Sequence, residues 1–137
     1  MQTEALKVLL VEDNVGDARL IHEYLTEALA LDFLMVHVRR LSEALEWLWQ
    51  EKCDVVLLDL GLPDSHGLDS LSLIRAQSPA VPIVVLTGFD DEAMAAEALW
   101  KGAQDYIVKG ETDSKLLLRS LLRSLRYAGE RKEGGRR

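Results

Sequence analysis

Along this 137-residue chain, short apolar runs alternate five times with segments of helical spacing, and no other feature restricts the possible folds as strongly. The runs are rich in Val, Leu and Ile, which favour buried strands. Strict alternation of strand and helix predicts an α/β fold: a doubly wound, five-stranded parallel sheet with helices on both faces, joined by right-handed crossovers. The predicted strands are Leu6–Val11, Phe33–Val38, Val55–Leu60, Ile83–Leu86 and Tyr106–Val108.

The segments between these runs carry helix-start signals. Asn14 is placed to cap the first helix, with Asp17 in the capping-box position, and Ser42 is placed to cap the second. Thr112 or Asp113 is placed to cap the last. The predicted helices are Asp17–Ala30, a second helix with Leu41, Leu45 and Leu48 on one face, Leu68–Gln77, Glu92–Lys101 and 115–128.

The length, charge and cysteine content of the chain limit the functions that it can have. One domain over residues 1–128 accommodates all five units, and the polar segment 129–137 is expected to be a disordered tail. The formal net charge of -7 disfavours direct binding to nucleic acid or to an anionic membrane, because the surface as a whole repels phosphate. The single cysteine, Cys53, allows no internal disulfide and no cysteine zinc site. No segment has the length of a signal-peptide core or a membrane span, so we expect a soluble, cytoplasmic protein.

Polar residues follow four of the five predicted strands. Glu12 and Asp13 come after the first strand, Asp59 ends the apolar run of the third, Thr87 follows the fourth and Lys109 the fifth. The carboxyl ends of parallel strands share one edge of a sheet, where ligands of such folds bind. Each residue alone has a structural explanation, as a helix cap, a turn residue or a solvent-exposed side chain. Together they predict one site.

A carboxylate in the buried third strand needs compensation, because an unpaired charge at that depth is strongly unfavourable. If Asp59 meets the acids of the first strand at about 5 Å, each pair repels by roughly 3 kcal/mol at an effective dielectric of 20. Such a cluster needs a cation. Mg²⁺ fits, because it takes one or two carboxylates, a phosphate oxygen and several waters, whereas zinc would need His or Cys.

Phosphoryl transfer to a carboxylate uses a metal ion, an amine and a hydroxyl together. Mg²⁺ and Lys109 would neutralise the charge of the moving group, and Thr87 would bind one of its oxygens. Asp59 is then the nucleophile, because it is the acid on the central run, between the Glu12–Asp13 pair and the donors Thr87 and Lys109. Mg²⁺ and Lys109 would also offset the charge that the apolar strand otherwise disfavours.

The motifs LLVEDN, LLDLGLPDSHG, VVLTG and GAQDYIVKG, in this order and spacing, resemble the receiver domain of two-component response regulators over nearly the whole chain. The resemblance implies a flavodoxin-like sheet of strand order 2-1-3-4-5 and Mg²⁺-dependent phosphorylation of one aspartate. On matching positions, the phosphoacceptor is Asp59, and the metal site consists of Glu12, Asp13, Asp59 and the backbone carbonyl of Gly61.

The resemblance also assigns a signalling switch. Thr87 would take a phosphoryl oxygen, Lys109 would pair with the phosphate, and the aromatic ring of Tyr106 would turn inward. A sensor histidine kinase or a phosphotransfer protein is the implied donor. The face formed by the fourth helix, fifth strand and fifth helix is the implied output surface, for a downstream protein, an output domain or a second copy of the chain. Gly110 departs from the family, which mostly has proline there in a cis peptide bond, so a trans or mobile loop is expected.

Large apolar side chains leave two structural questions open. Trp100 near the end of the fourth helix belongs either to a docking patch or to the packed interior. Trp47 and Trp49 are two positions apart on one helix, so at least one should be partly exposed. The leucines of the last helix either form a dimer seam or cover the sheet, namely Leu118, Leu121 and Leu125, followed by Ala128.

Three other functions compete with a phosphoacceptor. A degenerate receiver acting as an unphosphorylated scaffold would not require the complete set of Asp59, Thr87 and Lys109. A Mg²⁺-dependent phosphatase with an aspartyl nucleophile usually has a second Asp two residues on, where this chain has Gly61. A flavin-binding module would need a phosphate-cradling loop after the first strand, where the chain offers carboxylates. The chain is therefore expected to accept a phosphoryl group without being an enzyme, apart from slow self-dephosphorylation.

Overall fold

The computed structural model describes residues 5–28, 32–88 and 90–134, with side chains described as far as residue 126. All five predicted strands are present, with ends within one residue of those expected. The strands are β1 (Leu6–Val11), β2 (Phe33–Val38), β3 (Val55–Asp59), β4 (Ile83–Thr87) and β5 (Asp105–Val108). The helices are α1 (Val15–Ala28), α2 (Leu41–Gln50), α3 (Asp69–Gln77), α4 (Glu92–Trp100) and α5 (Ser114–Gly134). The predicted end of α1 at Ala30 lies outside the described residues.

The five strands form one parallel sheet in the order β2-β1-β3-β4-β5, which confirms the predicted topology. β1 lies between β2 and β3, with Val11 opposite Leu58, so the residues that follow β1 lie beside the end of β3. Asp59 is opposite Leu86, one position before the end of β4. Parallel pairing in this register places the carboxyl ends of β1, β3, β4 and β5 along one edge of the sheet.

The three central strands are buried on both faces, as continuous apolar runs predict. Alternate residues point to opposite sides, so Val56 and Leu58 of β3 pack against α2, α3 and α4, while Val55 and Leu57 pack against α1 and α5. A fully buried leucine contributes about 1.5–3 kcal/mol of transfer free energy. Packing of helices on both faces therefore stabilises the central strands and fixes the edge of the sheet at which they end. Within the described ranges, no helix is both long enough and apolar enough to cross a bilayer.

The predicted caps of the first and last helices are present. The Asn14 side chain accepts a hydrogen bond from the amide of Asp17 at 2.9 Å, and the Asp113 side chain accepts one from the amide of Leu116 at 2.8 Å. The capping box predicted with Asp17 is wrong in its second half: the amide of Asn14 instead donates to Glu12 Oε2 at 3.2 Å. This leaves the carboxylate of Asp17 available for another partner.

The predicted Ser42 cap of α2 is wrong. The helix begins at Leu41, and its first amides are bound by a residue from the loop after β3. Asp64 accepts hydrogen bonds from the amides of Leu41 at 2.8 Å and Ser42 at 3.0 Å. These hydrogen bonds, that of the Ser42 amide first, lower the pKa of Asp64. The cap comes from a distant loop, so local spacing could not reveal it.

Arg75, near the end of α3, ties together the edge of the sheet opposite the polar strand ends. Its guanidinium donates to the carbonyls of Pro79 at 3.1 Å, Val81 at 2.5 Å and Gly102 at 2.7 Å. Gly102 has a φ of +108°, and a Cβ there would lie 3.0 Å from Arg75 Nε. Only glycine therefore lets the chain turn into β5 this close to the arginine.

The structure answers part of the questions that the sequence left open about the tryptophans and the last helix. Trp100 is 90% exposed and Trp49 is 80% exposed, while Trp47 packs against the core, so the prediction of an exposed tryptophan on α2 is confirmed. Leu121 is buried against the sheet, so it cannot belong to an exposed seam. The structure continues α5 to Gly134, beyond the helix end expected at Ala128, whose side chain lies outside the described ones. The division into a domain and a tail at residue 128 stays a prediction.

Candidate functional site

The predicted polar residues meet at the carboxyl edge of the sheet. Asp59 and Thr87 are the last residues of β3 and β4, and Glu12 with Asp13 directly follows β1. Lys109 follows β5 and opens a short 3-10 turn that runs to Glu111. The rigid central strands therefore fix the positions of residues that are far apart in sequence.

Three of these residues form a compact acidic cluster. One carboxylate oxygen from each of Glu12, Asp13 and Asp59 lies within 4.8 Å of the other two. Glu12 is fully buried and Asp59 is only 6% exposed, while Asp13 is half-buried. At this separation, two ionised carboxylates repel by about 3.5 kcal/mol at an effective dielectric of 20. The cluster is stable only if a cation or a proton relieves that repulsion.

Lys109 brings a positive charge into direct contact with two carboxylates of this cluster. Its Nζ lies 2.5 Å from Glu12 Oε1 and 3.4 Å from Asp59 Oδ1. A third acid, Asp17 of α1, lies 2.9 Å from the same Nζ and forms a hydrogen bond with it. Sequence analysis gave Asp17 a capping role only. Its place in the first turn of α1 gave no signal of this contact, because the partner lies 92 positions away in the sequence.

The charges in the cluster shift two protonation equilibria. Burial, a hydrogen bond with Asp59 and the charge of Asp59 raise the pKa of Glu12 to about 8, although Lys109 acts in the opposite direction. Burial alone would lower the pKa of Lys109, but its contacts with Glu12, Asp17 and Asp59 outweigh burial and raise it. At neutral pH the lysine is charged and Glu12 is mostly protonated, and both effects reduce repulsion in the cluster.

The donor set of the cluster suits a hard divalent cation. It consists of carboxylate oxygens without sulfur or imidazole, which fits Mg²⁺ and does not fit a zinc site. Glu12 Oε1 is buried and faces the ammonium of Lys109, so this oxygen already binds a positive charge. Gly61 lies next to Asp59, because a Cβ at Gly61 would be 3.6 Å from Asp59 Oδ2. The structure thus brings Glu12, Asp13 and Asp59 together, while the roles of these residues and of the Gly61 carbonyl as metal ligands stay predictions.

The two predicted switch residues lie in the adjacent strands. Thr87 is buried and pairs in register with Val108, the residue before Lys109. Tyr106 is half-buried and packs against the same core layer as Met94 of α4. Across the described residues no peptide bond is cis, so the bond between Lys109 and Gly110 is trans. The glycine thus removes the cis geometry that the family's proline usually imposes, as the sequence led us to expect.

His37 supports the backbone of the site. His37 Nε2 lies 2.6 Å from the backbone carbonyl of Glu12, so β2 supports the loop that carries the acidic pair. No histidine belongs to the acidic cluster in the described part of the chain.

The cluster lies between β1 and β3, where the strand order reverses, which is where doubly wound α/β domains bind their ligands. Strand order and helix placement make the chain a flavodoxin-like α/β domain. Residues 8–120 match the family model described as the response regulator receiver domain, and the chain belongs to this family of two-component signalling proteins.

Curated relatives agree with this assignment. The chain is 40% identical over 100 residues to the regulatory protein LuxO of Vibrio cholerae, a match that covers 73% of this chain and 21% of LuxO. It is 38% identical over 104 residues to the transcriptional regulatory protein KdpE of Staphylococcus aureus, covering 75% of this chain and 43% of KdpE. The chain thus corresponds to less than half the length of either relative.

Solved structures of receiver domains have the same fold. The signal receiver domain of an HD domain-containing protein from Pseudomonas fluorescens Pf-5 superposes with a TM-score of 0.83 at 25% identity, covering 97% of this chain and 96% of that one. The phosphorylated cyanobacterial phytochrome response regulator RcpA superposes with a TM-score of 0.72 at 31% identity, covering 86% and 90%.

Proposed function

We propose that this domain receives a phosphoryl group on Asp59 from a sensor histidine kinase or a phosphotransfer protein, with Mg²⁺ bound by Glu12, Asp13, Asp59 and the carbonyl of Gly61. The observation that carries this proposal is the buried acidic cluster in contact with a lysine at one edge of the sheet. A buried carboxylate at the end of a strand destabilises the folded state unless other groups compensate its charge. Phosphoryl transfer to Asp59 would use each of its polar neighbours.

The proposed reaction is phosphoryl transfer to the Asp59 carboxylate. An oxygen of Asp59 attacks phosphorus, a new P–O bond forms, and the bond from phosphorus to the donor's nitrogen or oxygen breaks, with the electron pair leaving on the donor. Lys109, 3.4 Å from Asp59 Oδ1, is close enough to pair with the oxygens of the incoming group. Thr87, the last residue of the neighbouring strand β4, would donate its hydroxyl to another oxygen. Bound Mg²⁺ would neutralise charge on the phosphoryl oxygens.

The new phosphate changes the balance of charge at the strand ends and so biases a two-state equilibrium. Lys109 and Thr87 would shift toward the phosphate, and the ring of Tyr106 would follow, which alters the face of α4, β5 and α5. This face carries the exposed side chains of Leu99 and Trp100, which favour a protein partner. We place the downstream protein, an output domain or a second copy of the chain on this face, in the cytoplasm and without direct contact to nucleic acid or membrane.

Intact-mass measurement with a small-molecule phosphodonor and Mg²⁺ tests the proposal. Wild type should gain one phosphoryl group, Asp59→Asn should gain none, and Asp54→Asn should behave as wild type. Asp54 is a matched control because it precedes the same strand and binds the Lys7 amide at the opposite edge of the sheet. Undiminished labelling of Asp59→Asn would overturn the assignment. No labelling of wild type would favour a scaffold, and continuous phosphate release over many turnovers would favour a phosphatase.

The switch is tested separately by tryptophan emission, since Trp100 lies at the end of α4. Phosphorylation of wild type should change the emission. Lys109→Ala should retain part of the phosphorylation but lose most of the emission change, because the lysine links the phosphate to the β5 loop. An identical change in wild type and in Lys109→Ala would remove the lysine from the signalling route.

A further inference from the structure

Lys109 has an anionic partner that does not belong to the acidic cluster. Asp17 Oδ2 lies 2.9 Å from Lys109 Nζ, and the Asp17 side chain is 40% exposed, whereas that of Glu12 is fully buried. Asp17 does not contribute to the set of carboxylate oxygens that meet within 4.8 Å. The cap formed by Asn14 fixes the Asp17 backbone in the first turn of α1. Asp17 is therefore held in place to act on the lysine.

The lysine and a divalent cation would compete for the same oxygens. Lys109 pairs with Glu12 and Asp59, and both of these carboxylates belong to the cluster that suits Mg²⁺. When a cation enters, its charge repels the ammonium, and the lysine must give up at least part of these contacts. An ammonium released without another partner would be left partly buried and unpaired, which is unfavourable.

We propose that Asp17 is a positioning residue that keeps Lys109 at the site when the acidic cluster takes up its cation. The proposal rests on the proposed function in one respect, namely that the cation is Mg²⁺. The Asp17 contact persists when the lysine leaves Glu12, so the ammonium stays within reach of Asp59 and of any phosphoryl group that this residue accepts. The contact joins α1 to the loop after β5 and spans 92 positions of the sequence.

Calorimetric titration of the metal-free protein with Mg²⁺ measures this role. Asp17→Asn leaves the lysine bound to the cluster alone, so the dissociation constant for Mg²⁺ should rise about tenfold, as is usual when a supporting contact of a metal site is removed. Asp17→Glu should restore most of the affinity. Glu111→Gln is the matched control: it removes the same charge from the turn that begins with Lys109, where Glu111 is exposed, and should change the constant by less than about twofold.

A second readout follows the lysine itself and does not depend on phosphorylation. In nitrogen-15 spectra that detect lysine ammonium groups, the Lys109 signal of wild type should stay observable when Mg²⁺ is added, because Asp17 retains it. In Asp17→Asn the signal should broaden or disappear, while in Glu111→Gln it should remain.

The outcomes separate the two proposals. Equal Mg²⁺ affinity in wild type and Asp17→Asn, or an equal loss in Glu111→Gln, would overturn the role of Asp17 and leave the phosphoacceptor function intact. A wild type that binds no Mg²⁺ would overturn the proposed function, and the role of Asp17 with it.

Discussion

Mg²⁺ binding should release close to one proton at neutral pH, because the metal must displace the proton held by Glu12. The pKa of Glu12 is raised to about 8, so about 0.9 of this carboxyl is protonated at about pH 7. A cation requires the ionised form. The apparent dissociation constant should therefore rise roughly tenfold for each pH unit below about 8 and level off above it.

Isothermal titration calorimetry in buffers of different ionisation enthalpy counts these protons. Wild type should release about 0.9 of a proton at about pH 7, and Glu12→Gln should release almost none, with a dissociation constant that no longer follows pH in this range. Equal proton release by wild type and Glu12→Gln would assign the proton to another group. Binding without any proton release would refute the argument that burial and Asp59 keep Glu12 protonated.

The same shift affects the stability of the metal-free protein. Because the folded-state pKa of Glu12 is raised, its favourable contribution is fully present below its ordinary value of 4.5 and is lost as pH rises through about 8. The free energy of unfolding should thus decline over this range without metal, and excess Mg²⁺ should reduce the decline. Urea titrations at several pH values, with and without Mg²⁺, measure this difference.

Three further predictions concern the scaffold. Arg75→Met leaves the carbonyls that the guanidinium binds without their donor and should lower the free energy of unfolding by about 2–4 kcal/mol in urea titrations, whereas the exposed Arg126→Met should stay within about 0.5 kcal/mol. A loss of unfolding free energy smaller than that of Arg126→Met would contradict a stabilising role for the hydrogen bonds of Arg75. Asp64→Ala removes the α2 cap and should cost about 1 kcal/mol in the same assay; an unchanged midpoint would show that the cap is dispensable. Burial and the charge of Asp54 raise the pKa of Cys53 to about 12, so its thiolate fraction at about pH 8 should be roughly a thousandfold lower folded than unfolded. Its reaction with a disulfide reagent should be much slower in the folded protein, and equal rates would contradict the shift.

The strands and the strand-end residues were predictable because both follow from local pattern and a general rule. A buried parallel strand must be a continuous apolar run, so the run from Val55 to Leu58 fixes β3 and puts Asp59 at its end. Parallel strands then bring their carboxyl ends to one edge. Contact between Glu12 and Asp59 also requires β1 and β3 to be neighbours, which the resemblance to receiver domains implied and the sheet confirms.

Contacts between elements were not predictable in the same way. The Asp64 cap of α2 and the Arg75 tether depend on how loops cross the edges of the sheet, and spacing along the chain carries no record of that. Asp17 illustrates the difficulty: as a first-turn acid it suits the helix dipole, and only the position of Lys109 shows that its carboxylate pairs across the site. The protonation of Glu12 likewise depends on burial that the folded chain alone reveals.

The central claim is that Asp59 carries the phosphoryl group, and chemical trapping of the acyl phosphate tests it most directly. Borohydride reduces an aspartyl phosphate to homoserine, so the protein can be phosphorylated by a small donor with Mg²⁺, reduced, digested and mapped by mass spectrometry. Homoserine should appear at position 59 and at no other acidic position of the cluster. Homoserine at position 13 or 17 instead, or phosphate retained on a histidine with position 59 unmodified, would contradict the account.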